Sequence, residues 1–83
     1  MRLLYFAWVR QKIGRSEESF DPPAAIATVG DLAQALKDRG GGYQQAFSDL
    51  SRLRAALNQE HVSFDAPVSK DDEIAFFPPV TGG

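Results

Sequence analysis

Thr28-Val29-Gly30-Asp31-Leu32-Ala33-Gln34-Ala35-Leu36 is the stretch on which the fold turns. Its threonine hydroxyl can accept from helix-entry N–H groups, and an acid three positions later can reach back, so a helix starts here. Val29, Leu32, Ala33 and Leu36 then recur at offsets 0, +3, +4 and +7, one apolar stripe on a 3.6-residue period. Gly40-Gly41-Gly42 reads as the stop of that helix. A single stripe of this kind needs a sheet face to cover.

Strands to build the sheet lie on both sides. Leu3-Leu4-Tyr5-Phe6-Ala7-Trp8-Val9 is apolar at both parities, the pattern of a central strand covered on two faces. Gly14 ends this region, and Glu17 to Phe20 forms a short second strand closed by Asp21-Pro22-Pro23, so the two make a hairpin. Beyond the helix, Tyr43, Ala46, Phe47 and Leu50 keep helical spacing, which predicts a second short helix over Tyr43 to Leu50. From Leu53 the period becomes two: Leu53, Ala55 and Leu57, then Val62 and Phe64, alternate with their neighbours. Asp65-Ala66-Pro67 and Ser69-Lys70-Asp71-Asp72 are turns, and Ile74-Ala75-Phe76-Phe77 is a last strand that Pro78-Pro79 must terminate. The order β-β-α-(α)-β-β-β predicts an α+β roll: a mixed sheet of about five strands, one main helix and a second short helix. Residues 1–77 form one domain on this reading, and residues 78–83 an extended tail.

Composition narrows the function. At 83 residues the chain has room for one small core and none for an open multi-lobed cleft. Hydrophobic and charged fractions of 43% and 24% are those of a folded globular domain. The run Leu3 to Val9 is too short for a membrane span and no leader precedes it, so a cytoplasmic chain without a membrane partner is expected. Nine basic against eleven acidic residues give a net charge of −2, which speaks against nucleic acid as a partner. The absence of cysteine excludes disulfides, thiolate metal ligands and a persulfide on a side chain.

Other candidate features read blandly. His61, the single histidine, has no second ligand or nucleophile to make a metal site or a catalytic pair, and reads as a surface residue. Asp71, Asp72 and Glu73 lack calcium-loop spacing and read as a solvated turn. The three consecutive glycines lack the lysine and hydroxyl residue of a phosphate loop. Arg2, Arg10, Lys12 and Arg15 read first as a solvated basic edge and second as a surface for an acidic partner. Phe76 and Phe77 are adjacent in a strand and must point to opposite faces, one into the core and one towards a partner.

The chemistry gathers in Pro78-Pro79-Val80-Thr81-Gly82-Gly83. Two prolines with fixed φ and no N–H favour an extended, stiff exit from the sheet, and such an arm spans roughly 20 Å. Gly82 and Gly83 have no Cβ, so a terminal carboxylate could pass through a channel lined closely by backbone. Adenylation turns that inert carboxylate into a mixed anhydride, from which a sulfur donor displaces the nucleotide and leaves a thiocarboxylate. Its sulfur is a soft, anionic nucleophile on a tethered arm, held at high effective concentration.

Asp72-Glu73-Ile74-Ala75-Phe76-Phe77-Pro78-Pro79-Val80-Thr81-Gly82-Gly83 resembles the C-terminal run of the molybdopterin synthase small subunits, and the resemblance reaches back through Leu57-Asn58-Gln59, Thr28-Val29 and Phe6-Ala7. It implies a β-grasp, ubiquitin-like fold. It further implies that Gly83 bears first an adenylate and then a thiocarboxylate, that Gly82 gives clearance, that Pro78, Pro79, Val80 and Thr81 line the insertion path, and that Phe77 is a docking contact. The partners it implies are the synthase large subunit, in a complex of two small and two large chains, an adenylating enzyme akin to ubiquitin-activating enzymes, and a sulfurtransferase system. ATP is then used by the adenylating partner, and no cofactor or metal is bound by the chain itself. The sulfur would pass to a cyclic pyranopterin monophosphate in a pocket of the large subunit, two transfers making the dithiolene of molybdopterin. His61 departs from the family pattern, which has an apolar residue facing the partners there. Two other functions stay open: sulfur carriage for thiamin or for tRNA thiolation, and a β-grasp binding module whose glycines are chemically idle.

Overall fold

In the computed structural model, which describes residues 1–79, five strands form one mixed sheet. The strands are β1 (Arg2–Tyr5), β2 (Glu17–Ser19), β3 (Arg54–Leu57), β4 (Glu60–Val62) and β5 (Glu73–Phe77). Three helices accompany them: α1 (Ala7–Ile13), α2 (Val29–Lys37) and α3 (Gly41–Ala46), with one 3-10 turn at Leu50–Arg52. The sheet order is β2-β1-β5-β3-β4, so the last strand is inserted at the centre, parallel to β1 and antiparallel to β3. This is the β-grasp roll that the element order and the resemblance lead one to expect.

α2 begins as its sequence demands. The Thr28 hydroxyl accepts from Asp31 N–H while the Asp31 carboxylate accepts from the Ala27 and Thr28 N–H groups. Two further first-turn donors reach outside the helix, Val29 N–H to the Ala66 carbonyl and Gly30 N–H to that of Phe64, so the loop after β4 completes the cap. Val29, Leu32, Ala33 and Leu36 are fully buried against Leu3, Tyr5, Ile74 and Phe76 of the sheet. Across this core the Phe47 and Phe76 rings meet edge to face with centroids 4.9 Å apart.

Two expectations need correction. The apolar run Leu3 to Val9 is not one strand, because β1 ends at Tyr5 and the chain turns through Ala7, at φ 53°, into α1. Val9 is buried from that helix, so the double-parity pattern joins two elements instead of marking one two-sided strand. β1 and β2 therefore pair antiparallel across a helix and not through a tight hairpin turn. The three glycines also do more than stop α2. Gly40 is the entry residue of α3 and Gly42 lies inside it, where a Cβ would stand 1.8 Å from the Lys12 carbonyl oxygen of α1. The second helix consequently starts two residues earlier than its apolar spacing indicates and ends at Ala46.

The short edge strand β2 is fastened by Glu18, whose flanking residues Glu17 and Ser19 are exposed. Its carboxylate accepts from Tyr5 Oη (2.8 Å), Tyr43 Oη (2.5 Å) and Arg39 Nη1 (2.9 Å), with Arg15 Nη1 at 3.5 Å. Arg39 in turn lies over the Phe20 and Tyr43 rings, 5.1 and 4.9 Å from their centroids. Burial would raise the Glu18 pKa, but donation from Tyr43, Arg39 and Tyr5 outweighs it and holds the group below the usual glutamate range. Burial pushes the Tyr5 hydroxyl strongly up, and the neighbouring Glu18 charge adds to that.

Two outcomes follow. Gly42→Ala should lower the unfolding free energy by about 1–3 kcal/mol, read from the urea midpoint, because the new methyl must push α3 off α1. Because the Glu18 pKa is depressed by folding, its contribution is complete above the usual glutamate range and fades as pH falls through the folded value. Urea titrations from about pH 6 to pH 3 should therefore show a steeper acid loss for the native chain than for Glu18→Gln.

Candidate functional site

The tail leaves the sheet at Phe77, and the strand registers decide what surrounds it. Tyr5 pairs with Phe76 and Arg54 with Phe77, so the chain directly after β1 and the first residue of β3 flank the exit. Leu3, Tyr5, Ile74 and Phe76 point at α2 and are buried, which sends Leu4, Phe6, Ala75 and Phe77 to the opposite, helix-free face. Phe6 N–H donates to the Phe76 carbonyl, and its extended backbone with the left-handed Ala7 behind it keeps the ring turned outwards. Phe6 is 47% exposed, the one large exposed apolar side chain among the described residues.

Phe77 is half-buried on this face, and Ala56 is the reason that His61 reaches it. Ala56 pairs with both His61 and Ala75, and over its short side chain the His61 and Phe77 rings approach to 5.2 Å at an interplanar angle of 55°. The apolar strip Phe6-Phe77, with Leu4 and Ala75 below it, is thus bordered by His61 and Arg54 on one side. On the other side stands the exposed pair of Arg2 and Glu17, whose nitrogen and oxygen are 2.6 Å apart. An uncovered apolar strip with a polar rim is the make-up of a protein-docking surface.

Of the residues singled out from sequence, the structure brings Phe77, Pro78 and Pro79 to the centre of that strip's upper end, with both prolines outside any strand and half-buried. Val80, Thr81, Gly82 and Gly83 lie outside the described residues. His61, read as a plain surface residue, belongs to the strip's border. Phe6 and Leu4 were missed as surface contacts. Parity relative to buried Leu3 and Tyr5 would have found them, but only once the strand's end at Tyr5 was known.

Nothing among the described residues assembles acid–base or metal chemistry. Asp72 accepts from Asn58 Nδ2 and from Ser69 N–H and Oγ, which hold it below the usual aspartate range, and Asn58 Oδ1 returns a bond from Glu73 N–H. The acidic turn is therefore a lock between β5 and the Asn58-Gln59 turn, both of whose residues have positive φ. No group of three His, Cys, Asp or Glu side chains among the described residues is arranged to hold a metal ion. Among the described residues, no helix is long and apolar enough to cross a membrane.

Comparison with known proteins gives this geometry a lineage. The family model described as the ThiS family matches residues 3–83, nearly the whole chain. The chain belongs to the ThiS family. Within it, the molybdopterin synthase sulfur carrier subunit of Escherichia coli (strain K12) is 41% identical over 83 residues, covering all of this chain and 99% of that protein. The subunit of the same name from Dictyostelium discoideum is 37% identical, covering 99% and 94%. Among solved structures, a putative molybdopterin converting factor, subunit 1, from Pyrococcus furiosus superposes with a TM-score of 0.77 at 31% identity, covering 95% of each chain. SAMP1 from Haloferax volcanii does so with a TM-score of 0.73 at 27% identity, covering 100% and 98%. The resemblance drawn from Asp72 to Gly83 thus holds along the whole chain, as does the β-grasp fold.

Phe76 and Phe77 should separate cleanly in stability. Phe76→Ala empties a core site and should cost about 3–5 kcal/mol, whereas Phe77→Ala should cost about 1 kcal/mol or less, both measured by urea unfolding.

Proposed function

We propose that this chain is a sulfur carrier subunit of a molybdopterin synthase, with Gly83 as the carrying residue. The observation that carries the reading is the end-to-end match to sulfur carrier subunits, which runs through the terminal glycines. The apolar strip around Phe77 supports it, because a carrier must be held by the proteins that load and unload its tail. The absence of cysteine leaves the backbone terminus as the place for sulfur.

The chemistry runs in three steps. A terminal carboxylate oxygen of Gly83 attacks the α-phosphorus of ATP, held by an adenylating partner, and pyrophosphate leaves. A hydrosulfide equivalent from a sulfurtransferase system attacks the acyl carbon, the bond to AMP breaks, and a thiocarboxylate remains. In the large subunit, that sulfur attacks an oxygen-bearing carbon of a cyclic pyranopterin monophosphate, the carbon–oxygen bond breaks with the oxygen leaving as water or on the ring-opened phosphate, and hydrolysis of the resulting acyl–sulfur bond returns the carboxylate and leaves sulfur on the substrate. Two loaded carriers supply the dithiolene, which suits an assembly of two small and two large chains.

On this reading Phe6, Leu4, Ala75 and Phe77 seat the partner, Pro78 and Pro79 direct the arm away from the sheet, and Val80 to Gly83 occupy the partner's channel. The chain contributes position and the reactive terminus. ATP and pterin are bound by its partners, and the chain needs no resident cofactor.

Incubation with ATP, the adenylating enzyme and a sulfur source should replace one oxygen by sulfur at Gly83, read by intact mass and terminal-peptide fragmentation. Deleting Gly83 should abolish both this shift and molybdopterin formation while leaving the urea midpoint unchanged. An unmodified chain beside a carrier that is modified in the same mixture refutes sulfur carriage and leaves a non-carrier binding module.

A further inference from the structure

A groove at the helical end of the molecule holds two cations that have no ion-pair partner among the described residues. Trp8, Lys12, Gln45, Ser48 and Arg52 line a groove of about 510 Å³ between α1 and the end of α3 with the segment that follows it. The Arg52 guanidinium stands 5.2 Å from the centroid of the Trp8 ring, which it orients as one wall. The basic edge read from sequence divides in the structure: Arg2 pairs with Glu17 and Arg15 with Glu18. Lys12 has no ion-pair partner among the described residues, and neither has Arg52, which comes to it from a distant part of the sequence.

Asp49, three residues before Arg52, forms no ion pair with it among the described residues. Asp49 spends one carboxylate oxygen on Ser51 N–H (3.1 Å) and Ser51 Oγ (2.6 Å), and the Arg52 charge is the smallest of the influences on it. Two exposed cations beside a half-buried indole form a positive site on a chain whose net charge is −2. The groove and the strip are joined at two points of the chain: Trp8 follows Phe6 by two residues, and Arg52 precedes Arg54 of the strip's border, whose Nη1 donates to the Ser51 carbonyl (3.3 Å).

We propose that this groove receives an acidic segment of the synthase large subunit, its carboxylates meeting Lys12 and Arg52 and an apolar side chain lying on Trp8. The inference rests on the carrier reading above and adds a second, electrostatic contact to the apolar one. Charge pairs of this kind chiefly raise the rate of encounter and fix orientation, here aligning the tail's exit with the partner's channel.

Trp8 is the single tryptophan, so 5-fluorotryptophan incorporated into the full chain gives one ¹⁹F resonance that reports the groove directly. On titration with the purified large subunit the resonance should shift. K12E/R52E should raise Kd by about tenfold or more at low ionic strength, and that gap should close in about 1 M salt, where the Debye length is roughly 3 Å. K12Q/R52Q, which adds no repulsion, should show the same effect in smaller measure, and circular dichroism should show both variants folded. If the charge variants bind within twofold of the native chain while Phe77→Ala binds weakly, or if binding leaves the ¹⁹F resonance unmoved, the groove proposal is overturned and the docking reading stands. A native chain that does not bind the large subunit overturns the docking reading itself. A resonance that responds to a short single-stranded oligonucleotide and not to the large subunit also overturns the acidic-protein assignment.

Discussion

The pairing of β5 between β1 and β3 is the constraint from which the rest of the molecule follows. A C-terminal strand placed at the centre of the sheet must be apolar on the helix side, and Ile74 and Phe76 meet that demand at full burial. The alternate residues then have to face outwards, so the same pleat that buries their neighbours turns Ala75 and Phe77 to the opposite face, where both are half-buried. Parallel registry with β1 sets Phe6 beside Phe77, and antiparallel registry with β3 sets Arg54 on the other flank. The apolar strip is in this sense the reverse side of the core.

Much of the fold was legible because the signals were local. The Thr28–Asp31 cap and the 0, +3, +4, +7 stripe of α2 report geometry within one helix, and each of those residues does what its spacing indicates. β5 was equally clear, bounded by an acidic turn and two prolines. The region Leu3 to Val9 was opaque for a physical reason: a buried strand and a buried helix need the same residues, and the boundary between them rests on the backbone reversal at Ala7, an alanine at positive φ that no composition rule anticipates. Gly42 was misread because the need for it arises from Lys12, a contact between helices that sequence spacing does not contain.

The candidate site divides along the same line. The terminal glycines, the prolines and Phe77 stand in one run of sequence and could be read there as a chemical device. Phe6, Ala56 and His61 reach the same surface from three separate strands or their ends, and only strand register shows that His61 meets Phe77 over the small Ala56. The groove at Trp8 and Arg52 is more remote still, since the sequence-level basic edge contained Lys12 and lacked Arg52.

The central position of β5 also has a mechanical consequence. An arm gripped by a partner and then withdrawn transmits its load along the strand from which it emerges. β5 is hydrogen-bonded on both sides, so a pull along its axis loads two ladders in shear, and the bonds must yield together instead of unzipping one after another. An arm rooted in an edge strand would peel away under the same tug. On the carrier reading proposed above, the domain is thus built to be handled by its end.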